Sequence, residues 1–191
     1  MHHHAANPLG FVASAAVWFV MMAAMMAPTV WPWVRSFARF GGTGVAATVT
    51  FASGYLAAWL AYAIAAAALQ RVVPTPAWIA PFVFVVAGLY QFAPLKRACL
   101  THCRNPITYF LTRWRGGTAG AFRMGAEHGL FCVGCCWALM ATMLLVGVTS
   151  AWWMIALGTI AFVEQVVPHG HRLRVPVGLA CLAAAARVAI A

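Results

Sequence analysis

The sequence predicts an all-α fold: a polytopic transmembrane helical bundle of about six membrane helices, or five, with an added interfacial cytoplasmic helix. Three observations carry this prediction. Of the 191 residues, 64% are apolar and 7% are charged, against ~45–50% and ~25% in soluble domains. The stretch from His128 to Val163 holds no Asp, Glu, Lys or Arg, which is room for two passes at ~20 residues each with a turn between. The third observation is where the 12 Lys and Arg fall along the chain.

Proline, glycine and arginine punctuate six apolar runs, roughly Leu9 to Trp33, Gly44 to Leu69, Ala77 to Leu95, Ala121 to Val146, Ala151 to Val167 and Val175 to Ala191. The first run lies within the first 34 residues, which are free of Asp, Glu, Lys and Arg and lack the charged n-region and the cleavage site of a removable signal peptide, so it should persist as a helix. Pro28 and Pro32 should kink its inner end. His2, His3 and His4 read as a tag fragment or natural sequence and enter no site. The last run is short, and Arg187 near its end can snorkel to the interface. Between the third and fourth runs, Pro106 to Arg115 mixes aromatic and basic residues, as a helix lying on the inner leaflet does. No linker or repeat divides the chain, so residues 1–191 form one transmembrane helical-bundle domain.

If the runs alternate, Arg35, Arg39, Lys96, Arg97, Arg104, Arg113, Arg115, Arg123, Arg172 and Arg174 share one side, and Arg71 and Arg187 face the other. This positive-inside pattern puts the basic loops in the cytoplasm and both termini outside, as in a bacterial inner membrane. Topology therefore accounts for the net charge of +10, and no nucleic acid is implied. The lipid bilayer is the expected partner.

Chemistry concentrates in the fourth run, where Cys132, Cys135 and Cys136 lie within five residues. At 100° per residue, His128, Cys132, Cys135, Cys136 and Met143 share an arc of about 100°, and Met140 widens it to about 140°. The first run repeats the theme with Met21, Met22, Met25 and Met26 inside about 140°. At 1.5 Å per residue these methionines lie ~12–20 Å from the cytoplasmic end and the cysteines ~12–22 Å, so the two groups sit at one level. One helix cannot surround an ion, so a facing helix must complete any site. Thiolate with thioether favours Cu(I), and Cys with His suits zinc, which ranks copper first and zinc second.

Cys99 and Cys103 form a second pair one turn apart, beside His102. Placed at the cytoplasmic surface, they should lie ~15 Å from the buried cluster unless the loop folds inward. The alternative for every cluster is packing, since free Cys and Met both fill apolar cores; Cys181, alone in the last run, reads as structural. Disulfides are disfavoured, because helical neighbours stand ~5–6 Å apart at Cβ against ~3.8 Å in a disulfide.

The two acids, Glu127 and Glu164, both fall inside apolar runs. Arg123, one turn before Glu127, offers a structural pair. Glu164, with Gln165 beside it, is open to ion pairing or to a proton- or metal-linked role. No nucleophile, base and orienter set and no phosphate loop is present, so an independent enzyme is not expected.

Met21 to Pro28, Tyr90 to Pro106 and Gly129 to Met140, in that order, resemble the predicted metal-binding integral membrane proteins of domain of unknown function 2182. The resemblance spans nearly the whole chain and implies a metal-binding membrane protein without a defined substrate. Such proteins typically carry Glu-Lys where this chain has Glu164-Gln165, and often one more helix at the start. Two function classes follow. One is Cu(I) handling, by binding, buffering or transfer through the intramembrane Cys/Met/His cluster. The other is a structural or accessory subunit of a larger membrane complex, such as a copper membrane enzyme. Either admits other membrane subunits or further copies of the chain as partners.

Overall fold

The computed structural model describes residues 8–41, 44–72, 78–146 and 150–190; His2 to His4, Ala77 and Ala191 lie outside these ranges. Among the described residues the fold is helical without strands: α1 Pro8–Phe40, α2 Val45–Val72, α3 Ile79–Tyr90, α4 Pro94–Cys103, α5 Pro106–Arg113, α6 Gly117–Ala141, α7 Met143–Val146, α8 Ala151–Val166 and α9 Arg174–Ile190, the last preceded by a 3-10 turn, Gly170–Leu173.

Four helical segments are long and apolar enough to cross a membrane: Gly10–Phe40, Val45–Val72, Gly117–Leu145 and Gly170–Ile190. The α3–α4 pair makes a fifth if it is read as one broken span. The fifth predicted run is a 16-residue helix, α8, about 24 Å long at 1.5 Å per residue and shorter than a ~30 Å hydrocarbon core. α1 runs as one helix through Pro28 and Pro32. The outer faces are apolar, with Val12, Val20, Leu130 and Trp152 all exposed.

The third run departs most from expectation. It breaks after Tyr90, and α4 leaves at 63° to α3. Pro94 is the cause: a proline forces the preceding residue out of the helical region, and Ala93 sits at φ −60°, ψ 140°. The break turns α4 inward onto α6. Lys96, Cys99, Leu100 and Cys103, expected at the cytoplasmic surface, are instead buried.

The centre of the fold is the contact between α2 and α6, the most extensive among the described residues. It exists because glycine lets backbones touch. A Cβ on Gly54 would overlap the Phe122 carbonyl, one on Gly125 the Phe51 carbonyl, and one on Gly129 would come within 2.8 Å of the Tyr55 carbonyl. Gly125 and Gly129 are four apart on one face of α6, the small-residue spacing that brings apolar helices together. α1 packs across α2 and α8, and α3 pairs with α9.

Gly125→Ala should lower stability by about 1–3 kcal/mol, the usual cost of overpacking, read as a fall in the thermal unfolding midpoint in detergent. Gly116→Ala, where a Cβ meets nothing within 4 Å, should leave the midpoint unchanged.

Candidate metal centre

The α2–α6 contact sets Tyr55 beside the cysteine face of α6. Tyr55 Oη lies 3.4 Å from Cys132 Sγ. Cys135 and Cys136 follow within the next turn, their sulfurs 3.4 Å apart, and the Cys135 thiol donates to the Cys132 carbonyl at 3.2 Å. α8 closes the other side through Gln165, whose amide nitrogen donates to Cys136 Sγ at 3.1 Å while its oxygen accepts from Cys132 Sγ at 3.5 Å. One amide thus bridges two thiols.

α4 supplies the remaining cysteines. The Cys103 thiol lies against those of Cys132 and Cys135, and a Cβ on Gly134 would stand 2.9 Å from Cys99 Sγ, so the absence of a side chain there admits Cys99. Of the two arrangements the sequence leaves open for this pair, the inward-folded loop is the one observed. Pro94 folds the loop inward, and all five cysteines belong to one core with Met21, Met22, Met25, Met26, Met140 and Met143. Every one of these sulfur residues is buried. Cys181 is half-buried against the edge of that core.

His128 sits one turn before Cys132, its ring stacked on Trp33 at 3.8 Å between centroids and facing Tyr55 at 5.3 Å. Both of its nitrogens are buried without a hydrogen-bond partner, which is costly for a polar group in an apolar interior. His102 stacks on Phe131 at 3.8 Å, and Trp33 Nε1 donates to the Cys103 carbonyl at 2.8 Å.

The acids are fixed by cations. Lys96 Nζ lies 2.7 Å from Glu164 Oε2, with side-chain exposures of 0% and 1%. Lys96 provides the positive partner that Gln165, standing where a lysine was expected, does not. Arg104 Nη1 donates to the Glu164 carbonyl at 2.6 Å. Glu127 pairs with Arg123, as its spacing predicts, and also with Arg115. Tyr109 donates to Glu127 at 2.6 Å; burial and the neighbouring carboxylate push the phenol's pKa up, which keeps it a donor.

Among the described residues, no group of three or more His, Cys, Asp or Glu side chains is already arranged to hold a metal ion. The thiols are in mutual contact instead. Two sulfurs bound tetrahedrally at about 2.3 Å would stand about 3.8 Å apart, so the 3.4 Å Cys135–Cys136 contact must open by a few tenths of an ångström. That is a side-chain adjustment. The donor chemistry fits a soft monovalent ion, and the partnerless imidazole of His128 has capacity to spare.

Gln165, Tyr55, Trp33 and Lys96 were not foreseen as parts of the site. An amide inside an apolar run was a visible signal for Gln165, whereas nothing local in the sequence marks Trp33 or Tyr55.

Fold and site together define a helical bundle, with segments long enough to span a membrane, built around a buried soft-donor core. The sequence model of the PpoB2 family, described as copper chaperone, matches residues 15–188, and the chain belongs to that family. No curated protein and no solved structure matches it. The family match supports copper and a non-catalytic role, and gives no support to zinc. It carries neither the designation of domain of unknown function 2182 nor that family's membrane assignment.

Lys96→Met should destabilise the fold by about 3–5 kcal/mol by leaving Glu164 buried and unpaired. The double variant Lys96→Met/Glu164→Gln should recover much of the lost unfolding midpoint.

Proposed function

We propose that this chain is an integral membrane copper chaperone that carries Cu(I) as cargo in the sulfur core, passing it between the methionines of α1 and the cysteines of α6 and α4. The observation that carries the reading is the gathering of five cysteines and six methionines in one buried core of a chain that belongs to a copper chaperone family. Cys132, Cys135, Cys136, Cys103 and Cys99 are the proposed thiolate ligands, with His128 as a neutral nitrogen donor. Met21, Met22, Met25, Met26, Met140 and Met143 are the thioether donors.

The two ligand types do different work. Thioethers bind Cu(I) without losing a proton, so the α1 methionines can accept or release the ion at little cost. Thiols must deprotonate to bind, which makes the cysteine end tighter and linked to proton release. Gln165 orients the thiols of Cys132 and Cys136. Glu164, already engaged by Lys96, is assigned to holding α8 against α4 rather than to the metal.

Membrane insertion is supported by the four span-length apolar helices and the apolar outer faces. The ten-to-two division of Lys and Arg favours basic loops in the cytoplasm and both termini outside, as in a bacterial inner membrane.

Protein purified after copper-supplemented growth should carry one or two Cu(I) per chain, and Cys132→Ser, Cys135→Ser and Cys136→Ser should each lower that content. Elemental analysis is the check; equal, near-zero copper in all four preparations would overturn the proposal. Copper movement into proteoliposomes then separates transport from storage.

A further inference from the structure

The chain has two acids against twelve Lys and Arg, so its side-chain carboxylates are far outnumbered by its cations. Glu164 is taken by Lys96 and Glu127 by Arg115 and Arg123. Even so, the fold gathers four basic side chains into one concavity. Where α4 meets the start of α9, a pocket of about 360 Å³ is lined by Arg97, Arg104, His171 and Arg174, with Thr101 and Asn105 between them.

Two turns force this gathering. Pro94 swings α4 inward and carries Arg97 and Arg104 with it. At the end of α8, His169 adopts φ 61°, and Gly170 tucks so closely that a Cβ would overlap the Val163 carbonyl; this delivers His171 and Arg174 to the same place. Among the described residues, Arg97 and Arg174 make no salt bridge; Arg174 feels the Glu164 carboxylate only at longer range, and its Nη1 is closed off from solvent with no hydrogen-bond partner. Arg104 commits Nη1 to the Glu164 carbonyl, leaving its other donors free. Thr101 and Asn105 donate to backbone carbonyls of α4 itself, so the guanidinium groups are the available donors.

Like charges held around a concavity call for an anion. Guanidinium forks suit an oxyanion that can take several N–H bonds at once, as phosphate does. Arg174, which lines the pocket, begins α9, a helix whose next turns carry the exposed apolar Val175 and Leu179, and a basic pocket between helices is a setting for lipid headgroups. We propose that this pocket binds a phosphate-bearing anion, either the headgroup of an anionic phospholipid or free phosphate. The site is separate from the sulfur core and requires no copper.

The test uses the full chain, delipidated in detergent, with two probes: phosphatidylglycerol in mixed micelles, with phosphatidylcholine as the neutral reference, and inorganic phosphate. Wild type should bind at least one probe selectively. Arg97→Gln/Arg174→Gln should weaken it roughly thirtyfold, from two arginines beside an anionic group. Arg35→Gln/Arg39→Gln, the same loss of charge on the exposed end of α1, should stay near wild type. Should the glutamine pair fail to fold, Arg97→Lys/Arg174→Lys keeps the charge but removes the forks and should give an intermediate loss. Retention of phosphatidylglycerol undisturbed by phosphate identifies the lipid, and displacement or direct binding by phosphate identifies the free ion. Selective binding of neither probe overturns the proposal. So does pocket-variant binding equal to wild type, or equal weakening in both double glutamine variants.

Discussion

Everything around the sulfur core depends on how closely α2 and α6 approach. An apolar helix in an apolar surrounding gains little from burying more hydrocarbon, so association rests on close packing and on polar contacts. Gly54, Gly125 and Gly129 allow backbone to meet backbone. That approach places Tyr55 against Cys132 and His128. With α6 fixed in rotation against α2, its cysteine face also meets α4 through Cys103 and α8 through Gln165.

The second constraint is electrostatic. The Lys96–Glu164 pair is buried on both sides, and a pair so placed is held by its mutual completeness: each charge is tolerable only while the other is there. It ties α4 to α8, and its neighbour Gln165 reaches the thiols of Cys132 and Cys136. Charge pairing, amide and sulfur core are therefore consecutive links along one stretch of α8. Pro94 makes this arrangement possible by breaking the third run and sending α4 inward. One proline thus converts an expected surface pair, Cys99 and Cys103, into neighbours of the central cysteines.

The helical class was legible because composition, charge-free runs and basic-residue placement all point the same way. The grouping of His128, Cys132, Cys135 and Cys136 on one face needed only helical periodicity, and each of the four side chains is buried. The placement of α4 was not legible: Pro94 announces a break but not the direction of the chain after it, and the inward turn depends on Gly134 leaving space for Cys99. Likewise Glu164 was legible as a residue in need of a partner, but Lys96, distant in sequence, became that partner only through the fold. Sequence spacing reports neighbours along a helix, and contacts between helices come from packing.

The central claim is that cysteines of α6 and α4 act together on one copper ion. Copper X-ray absorption on the loaded chain tests it most directly, comparing wild type with Cys103→Ser and Cys132→Ser. The account predicts a sulfur-dominated first shell for Cu(I) that loses sulfur in both variants, since each removes a donor from the same centre. A first shell of oxygen and nitrogen, or a sulfur shell identical in all three proteins, would contradict it.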